Sequence, residues 1–169
     1  MAGFHTKTFT QHDDYMSPNS AWDNIKHIID KRKDDVIWEA FYGDGKSGEY
    51  LKSMGYNVIH EKIDFFENDC GDWILSNPPF SKSREVLTRL KELNKPFIII
   101  LPTAKLTTNY FKNLFGNENI QLIIPRKRIH FKKLVNGEIV EGWRNKCNFD
   151  CFYYCYKMGL EKDILFLDN

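Results

Sequence analysis

Ser83-Arg84-Glu85-Val86-Leu87-Thr88-Arg89-Leu90-Lys91-Glu92-Leu93 and, three residues later, Phe97-Ile98-Ile99-Ile100-Leu101 are the segments on which the fold turns. The first reads as a helix, and Pro96 then introduces the most apolar run of the chain. A strand that is apolar at every position has both faces covered, and when such strands alternate with helices the sheet they form is parallel. The same alternation extends on either side. Ser17-Pro18 reads as an N-cap followed by proline at the first helical position, opening a helix to about Lys33 with Trp22, Ile25, Ile28 and Ile29 on one face. Val36-Ile37-Trp38 is a short buried strand, Lys46–Met54 a helix ended by Gly55, Val58-Ile59-His60 a second strand and Trp73-Ile74-Leu75 a third. A helix around Thr107–Phe115 leads to the strand Ile120–Ile124. The pattern then changes: Ile129–Val135 and Glu138–Trp143 flank Asn136-Gly137, the strongest short-range hairpin signal, and Phe149–Tyr156 is the last strand assigned.

The 169 residues, 42% hydrophobic, are read as one domain spanning 1–169, with a polar, loosely ordered arm at 1–16 and a basic hairpin insertion at 125–145. No apolar run approaches the length of a membrane span or a secretory signal, so a soluble intracellular protein, cytoplasmic or nuclear, is expected. Lys+Arg 24 against Asp+Glu 23 leaves a net charge of +1, so nucleic acid would have to be bound by a local patch. Cys147, Cys151 and Cys155 recur every fourth residue on one face of a strand and are read as core rather than metal ligands, since zinc sites bring paired cysteines or histidines from two segments. Lysine outnumbers arginine 18 to 6, with 14 Asn and 16 Ile, the bias of an AT-rich coding sequence such as many viral or parasitic genomes carry.

Two constellations carry chemistry. Glu39-Ala40-Phe41-Tyr42-Gly43-Asp44-Gly45 follows the first strand and precedes a helix. In an open α/β sheet ligands bind beyond the carboxyl ends of the strands, and glycines there admit close approach of backbone N–H groups. Glu39, at the strand end, has the chemistry to hold a cationic or hydroxyl group; a tight connection needing positive φ would use the same glycines. Gly45-Lys46-Ser47 lacks the glycine near position 40 that a phosphate loop requires. The second constellation is Ser76-Asn77-Pro78-Pro79-Phe80. Two prolines remove two donors and hold the Asn77 and Pro78 carbonyls rigid, which suits a planar amine donating to the Asn77 side-chain oxygen and the Pro78 carbonyl, with Phe80 as a stacking surface.

In this order and about 35 residues apart, Glu39–Gly45 and Asn77-Pro78-Pro79-Phe80 resemble the S-adenosylmethionine-dependent amino-methyltransferases, especially the adenine-N6 enzymes of small phage or virus type. Asp14-Tyr15-Met16-Ser17-Pro18 with Trp22 resembles the segment that closes over the cofactor, Ile63-Asp64-Phe65-Phe66 the segment at its adenine, and Arg128-Ile129-His130-Phe131 a late motif bordering the target-base pocket. The resemblance, spanning residues 13 to about 156, implies a Rossmann-like class I methyltransferase: a mostly parallel seven-stranded sheet, helices on both faces and a C-terminal antiparallel hairpin. It implies S-adenosylmethionine as cofactor, with Phe41, Gly43 and Gly45 shaping its methionine end, Glu39 near its amino group, Tyr15 and Pro18 covering it, Glu61 at the ribose, and Asp64 and Phe65 at the adenine. Asn77, Pro78, Pro79 and Phe80 are the implied catalytic set, and no metal is implied. Glu61 and Asp64 are separated by only two residues, a departure from the family pattern.

A second departure is the lack of room for a recognition domain in 64–77 or 101–128. There remains the basic segment, in which Arg126, Lys127, Arg128, Lys132 and Lys133 put five cations in nine residues from Pro125. It reads either as a phosphate-binding element or as a strand edge protected by lysines. The expected activity is therefore methyl transfer to adenine N6 in DNA or RNA, on a single-stranded or flipped base, with a partner protein as a possible source of target recognition and no membrane association. Two alternatives stand beside it: a protein glutamine-N5 methyltransferase, and a non-catalytic nucleic-acid-binding or partner subunit of the same fold.

Overall fold

The computed structural model describes residues 15–136, 138–140 and 149–168. Along the chain run β1 (Tyr15–Met16), α1 (Asn19–Asp23), α2 (Lys26–Ile29), β2 (Val36–Trp38), α3 (Lys46–Ser53), β3 (Asn57–Ile59), β4 (Trp73–Ser76), α4 (Ser83–Leu93), β5 (Phe97–Pro102), α5 (Asn109–Phe115), β6 (Ile120–Ile124), β7 (Lys132–Val135), β8 (Glu138–Val140), β9 (Cys151–Tyr156) and β10 (Ile164–Phe166). Seven strands form one sheet in the order β10-β6-β9-β5-β4-β2-β3, and β1, β7 and β8 form a separate three-stranded sheet. In the large sheet β9 is antiparallel to both neighbours and the other pairings are parallel.

Burial explains the apolar runs. Successive strand residues point to opposite faces, yet all of β4 and Phe97 to Leu101 of β5 are buried, so both faces are covered. The connection β2–α3–β3 steps one way along the sheet and β4–α4–β5 steps the other. Right-handed crossovers in opposite directions place their helices on opposite faces. The chain order reverses between β2 and β4, which makes their carboxyl ends the topological switch point where open α/β sheets hold ligands. Both constellations leave the sheet there.

Local chemistry sets the helix ends. Gly45 starts α3 at φ 83° and Gly55 ends it at φ 91°, both conformations that favour glycine. Asn94 closes α4 in the left-handed region at φ 54°, with its N–H donated to the Leu90 carbonyl. Cys151 and Cys155 are buried in β9, as core packing requires, while Cys147 lies outside the described residues. No helix among the described residues is long and apolar enough to cross a membrane.

Four expectations need correction. The helix expected to run to Lys33 is broken into α1, α2 and a 3₁₀ turn at Asp30–Arg32, and Pro18 is its N-cap rather than its first helical residue. Trp22, Ile25, Ile28 and Ile29 are nevertheless all buried. At the break the Ile25 N–H bonds Trp22 O in place of the Ala21 carbonyl a continuous helix would offer, and that carbonyl accepts from the Tyr153 hydroxyl at 2.6 Å. The end of the polar arm is not loose, because Tyr15 and Met16 pair with Lys133 and Lys132. Residues 129–131 precede β7 rather than belonging to it; Ile129 and Phe131 are buried, and the ladder starts at Lys132, where β1 supplies a partner. β10 was not foreseen: it pairs with β6 while leaving Ile164 52% and Phe166 69% exposed, an outward face with no buried alternation to read. Of Glu138–Trp143, β8 covers Glu138–Val140, and 141–148 lie outside the described residues.

Candidate active site

The turn after β2 is shaped by Gly43 at φ 57° and Gly45 at φ 83°. β1 lies across it, and a Cβ on Gly43 would stand 2.9 Å from Met16 Sδ. Beneath the turn is a buried polar network. Glu39 is 1% exposed. Its Oε1 accepts from the Ser76 hydroxyl at 2.5 Å, and that same hydroxyl oxygen accepts from the Phe41 N–H at 3.3 Å. The switch point is thereby stitched from β2 to β4. Glu39 Oε2 lies 2.9 Å from His60 Nδ1 without hydrogen-bond alignment, so neither atom is otherwise satisfied. His60 Nε2 donates to the Gly45 carbonyl at 2.8 Å. The imidazole stacks on Tyr42 (4.5 Å between centroids, 6° between planes) and lies against Gly48 so closely that a Cβ there would come within 1.9 Å of it.

Burial raises the Glu39 pKa, outweighing its contacts with His60 and Ser76. Burial alone would depress His60, but the Glu39 carboxylate and the Gly45 carbonyl prevail and its pKa is raised. The pair therefore keeps a proton to higher pH than a free imidazole does.

The second constellation faces the first. Pro78 and Pro79 are buried, Pro79 is extended (φ −63°, ψ 124°), and Phe80 opens a 3₁₀ turn whose carbonyl accepts from Ser83 Oγ at 2.7 Å. The Asn77 Nδ2 donates to the Tyr15 carbonyl at 3.0 Å. A carbonyl only accepts, so this bond fixes which way the amide points. Its Oδ1 is left buried with no partner. Tyr15, whose carbonyl takes that bond, belongs to an aromatic cluster with Phe80, Phe131 and Phe149: Tyr15 stacks with Phe80 at 6.4 Å, and Phe131 and Phe149 meet both rings edge-on at 5.4 to 6.2 Å.

β1 thus joins the two constellations, with Met16 over the glycine turn and Tyr15 on Asn77. Ser17 follows with a buried hydroxyl that lacks a hydrogen-bond partner, and half-buried Pro18 begins α1. Phe41 packs on Phe65 at 4.8 Å, and Phe65, fully buried, also meets Trp38 at 5.5 Å; the neighbouring Phe66 is the exposed ring of that pair. Asp64 Oδ1 accepts from the Phe66 N–H at 2.8 Å, closing the turn after exposed Glu61.

The basic segment divides. Arg128 grips Asp150 with two bonds of 2.6 and 3.2 Å, and Arg126 donates to the Asp168 carbonyl. These arginines tie the segment to the C-terminal strands. Lys127 and Lys132 are exposed and Lys133 is half-buried, the last two paired in register with Met16 and Tyr15. Sequence reasoning quotes Ser17 and Ser76 within their motifs without giving either a site role of its own, and gives none to His60, Gly48 or Phe149. A glycine inside a helical pattern, Gly48, was the one available signal of close approach.

The fold and this site define an open, doubly wound α/β protein with a buried polar network and an aromatic cluster at the switch point. No family model matches the chain, and no curated protein does. Among solved structures, an S-adenosylmethionine-dependent O-methyltransferase from Thermotoga maritima is similar in chain path, at 10% identity and a TM-score of 0.41 over 83% of this chain and 66% of that one. This chain thus spans just under two thirds of that protein's length. A likeness of that degree bears on neither cofactor nor substrate.

Proposed function

We propose that this chain is an S-adenosylmethionine-dependent methyltransferase acting on the N6 amine of adenine in nucleic acid. The observation that carries the reading is the Asn77 amide: Nδ2 tied back to the Tyr15 carbonyl and Oδ1 buried and unpartnered at the switch point, with Tyr15 in turn stacked on Phe80. A buried acceptor without a donor costs free energy, ~1–3 kcal/mol, unless a ligand satisfies it. An exocyclic amine on a planar ring is such a donor, and the cluster of Tyr15 and Phe80 supplies aromatic surface of the kind a base packs against.

The cofactor reading is supported by the other side of the crevice. Gly43 and Gly45 hold the turn in left-handed backbone, with Met16 and Tyr42 packed where their side chains would stand, and Ser17 brings an unpartnered hydroxyl to the segment that crosses the turn. In this reading Gly43, Gly45 and Phe41 hold the methionine end, Ser17 and Pro18 close over it, and Glu61 and Asp64 meet the ribose and adenine. Glu39 acts from below, its carboxylate engaged by Ser76 and His60, and Phe65 supports Phe41 from within the core.

The bound cofactor would supply a methyl group already activated on a sulfonium. The chain's part is alignment. Asn77 Oδ1 and the rigid Pro78 carbonyl accept the two amine protons, which holds the nitrogen lone pair toward the donor, and the rings exclude water from the line of attack. Lys127, Lys132 and Lys133 serve the phosphates, positioning the strand without reading its sequence.

A radiolabelled methyl-transfer assay across single- and double-stranded DNA, RNA and protein tests this. Label in N6-methyladenine supports it. Label in glutamine alone replaces it with the protein substrate, and no label together with no binding of S-adenosylhomocysteine removes the methyltransferase reading.

A further inference from the structure

His60 lies at the end of β3, where an exposed polar residue would be unremarkable, yet it is 8% exposed. Every face of its ring is used. Nε2 holds the Gly45 carbonyl, Nδ1 meets Glu39, Tyr42 is stacked on the ring, and Gly48 has no side chain where the imidazole lies. A glycine within α3 costs about 1 kcal/mol relative to alanine, and the space it leaves is filled by this ring. Two residues of the Gly45–Gly48 stretch are therefore fitted to one imidazole.

We infer that His60 is a positioning residue for the glycine turn, and that ligand binding at the turn is coupled to a proton held between His60 and Glu39. The inference rests on the turn being the cofactor site. Its logic is one of lone pairs. The Gly45 carbonyl only accepts, so Nε2 must keep its hydrogen. The proton that can leave is the one on Nδ1, and its loss sets an imidazole lone pair against Glu39 Oε2 at 2.9 Å. That repulsion pushes the ring away from Glu39, and the ring carries the Gly45 carbonyl with it. Other groups facing the imidazole are Tyr42, stacked on it, and Lys52 of α3, whose charge opposes protonation; Lys62 sits over the far partner, Tyr42, at 5.2 Å. None brings a proton opposite Glu39 Oε2 in place of the one on Nδ1.

The test has two readouts on the full chain. Calorimetry with S-adenosylhomocysteine from pH 5.5 to 9 compares the parent with His60→Gln and His60→Ala, while NMR follows the His60 ring and the Gly43 and Gly45 amides in ligand-free protein. The parent should lose affinity as the imidazole deprotonates, by about tenfold, as the close Nδ1–Oε2 contact turns from attractive to repulsive. His60→Gln, which keeps a donor for Gly45 and cannot titrate, should bind with no pH dependence over that range. His60→Ala should bind about tenfold or more weakly at pH 6, also without pH dependence. A parent whose affinity is flat across its own imidazole titration overturns the proposal, as does a His60→Ala variant that binds like the parent. If the parent binds no ligand at any pH, the cofactor reading and the coupling to ligand binding both fail and the amides decide the positioning role alone: signals of Gly43 and Gly45 that move with the imidazole support it, and signals that stay still overturn it.

Discussion

Gly48→Ala separates two physical effects of opposite sign. Gly48 lies in α3 with no left-handed backbone requirement, so helix propensity alone predicts that alanine stabilises by about 1 kcal/mol. The tertiary contacts predict the reverse. The new Cβ would stand 1.9 Å from His60 Cγ, 2.2 Å from Cδ2 and 2.3 Å from Nδ1, all ring atoms rather than the end of a flexible chain. The imidazole is stacked on Tyr42 and tied at Nε2, so it moves only by giving up both. Overpacking costs ~1–3 kcal/mol and the lost hydrogen bond ~1 kcal/mol, which leaves a net destabilisation of about 1–3 kcal/mol after the propensity gain. At roughly 2–4 °C per kcal/mol for a chain of this size, Tm should fall by about 2–12 °C in scanning calorimetry. In a His60→Ala background the same substitution meets open space and should be neutral or stabilising, up to ~1 kcal/mol. A Gly48→Ala variant as stable as the parent, or one equally costly in both backgrounds, refutes the packing argument.

Gly43→Val should abolish S-adenosylhomocysteine binding in calorimetry, since it forces a β-branched residue to φ 57° and drives its Cβ to 2.9 Å from Met16 Sδ; retained binding would move the cofactor away from this turn. Asn77→Ala should lose most methyl transfer with cofactor affinity nearly intact, and parent activity should be indifferent to chelators, because alignment of the amine carries the rate; full turnover in the variant contradicts this. Neutralising Lys132 and Lys133 together should weaken nucleic-acid binding with little change of sequence preference and reduce the log–log salt slope by up to about 1.4 on single strands; an unchanged slope leaves the lysines as edge protection. Unfolding free energy should also depend on pH through His60: its folded pKa is raised above the ordinary 6.5, so its stabilisation is fully present below 6.5 and is lost as pH rises through the folded value. Denaturant titrations from pH 6 to 9 should show this decline in the parent, and a His60→Gln variant with the same decline would assign it elsewhere.

The alternation of helices with fully apolar strands was legible because burial on both faces is written into each strand's own residues, as Phe97 to Leu101 show. Gly43, Gly45 and Asn77-Pro78-Pro79-Phe80 were legible for a related reason: the backbone they demand is local, and each carries its residue types in one short run. What escaped depends on partners far apart in the chain. The hydroxyl that meets the broken turn at Ala21 comes from a tyrosine 132 residues away, and the carbonyl that orients Asn77 from 62 residues away. Ile28 and Ile29 stay buried whether or not the helix is continuous, so periodicity could not detect the break. Likewise a lone histidine at a strand end and a glycine in a helix are unremarkable apart; only the crossover β2–α3–β3 lays His60 on Gly48 and against Glu39, where exclusion of water gives their hydrogen bonds and charges a weight that no sequence pattern encodes.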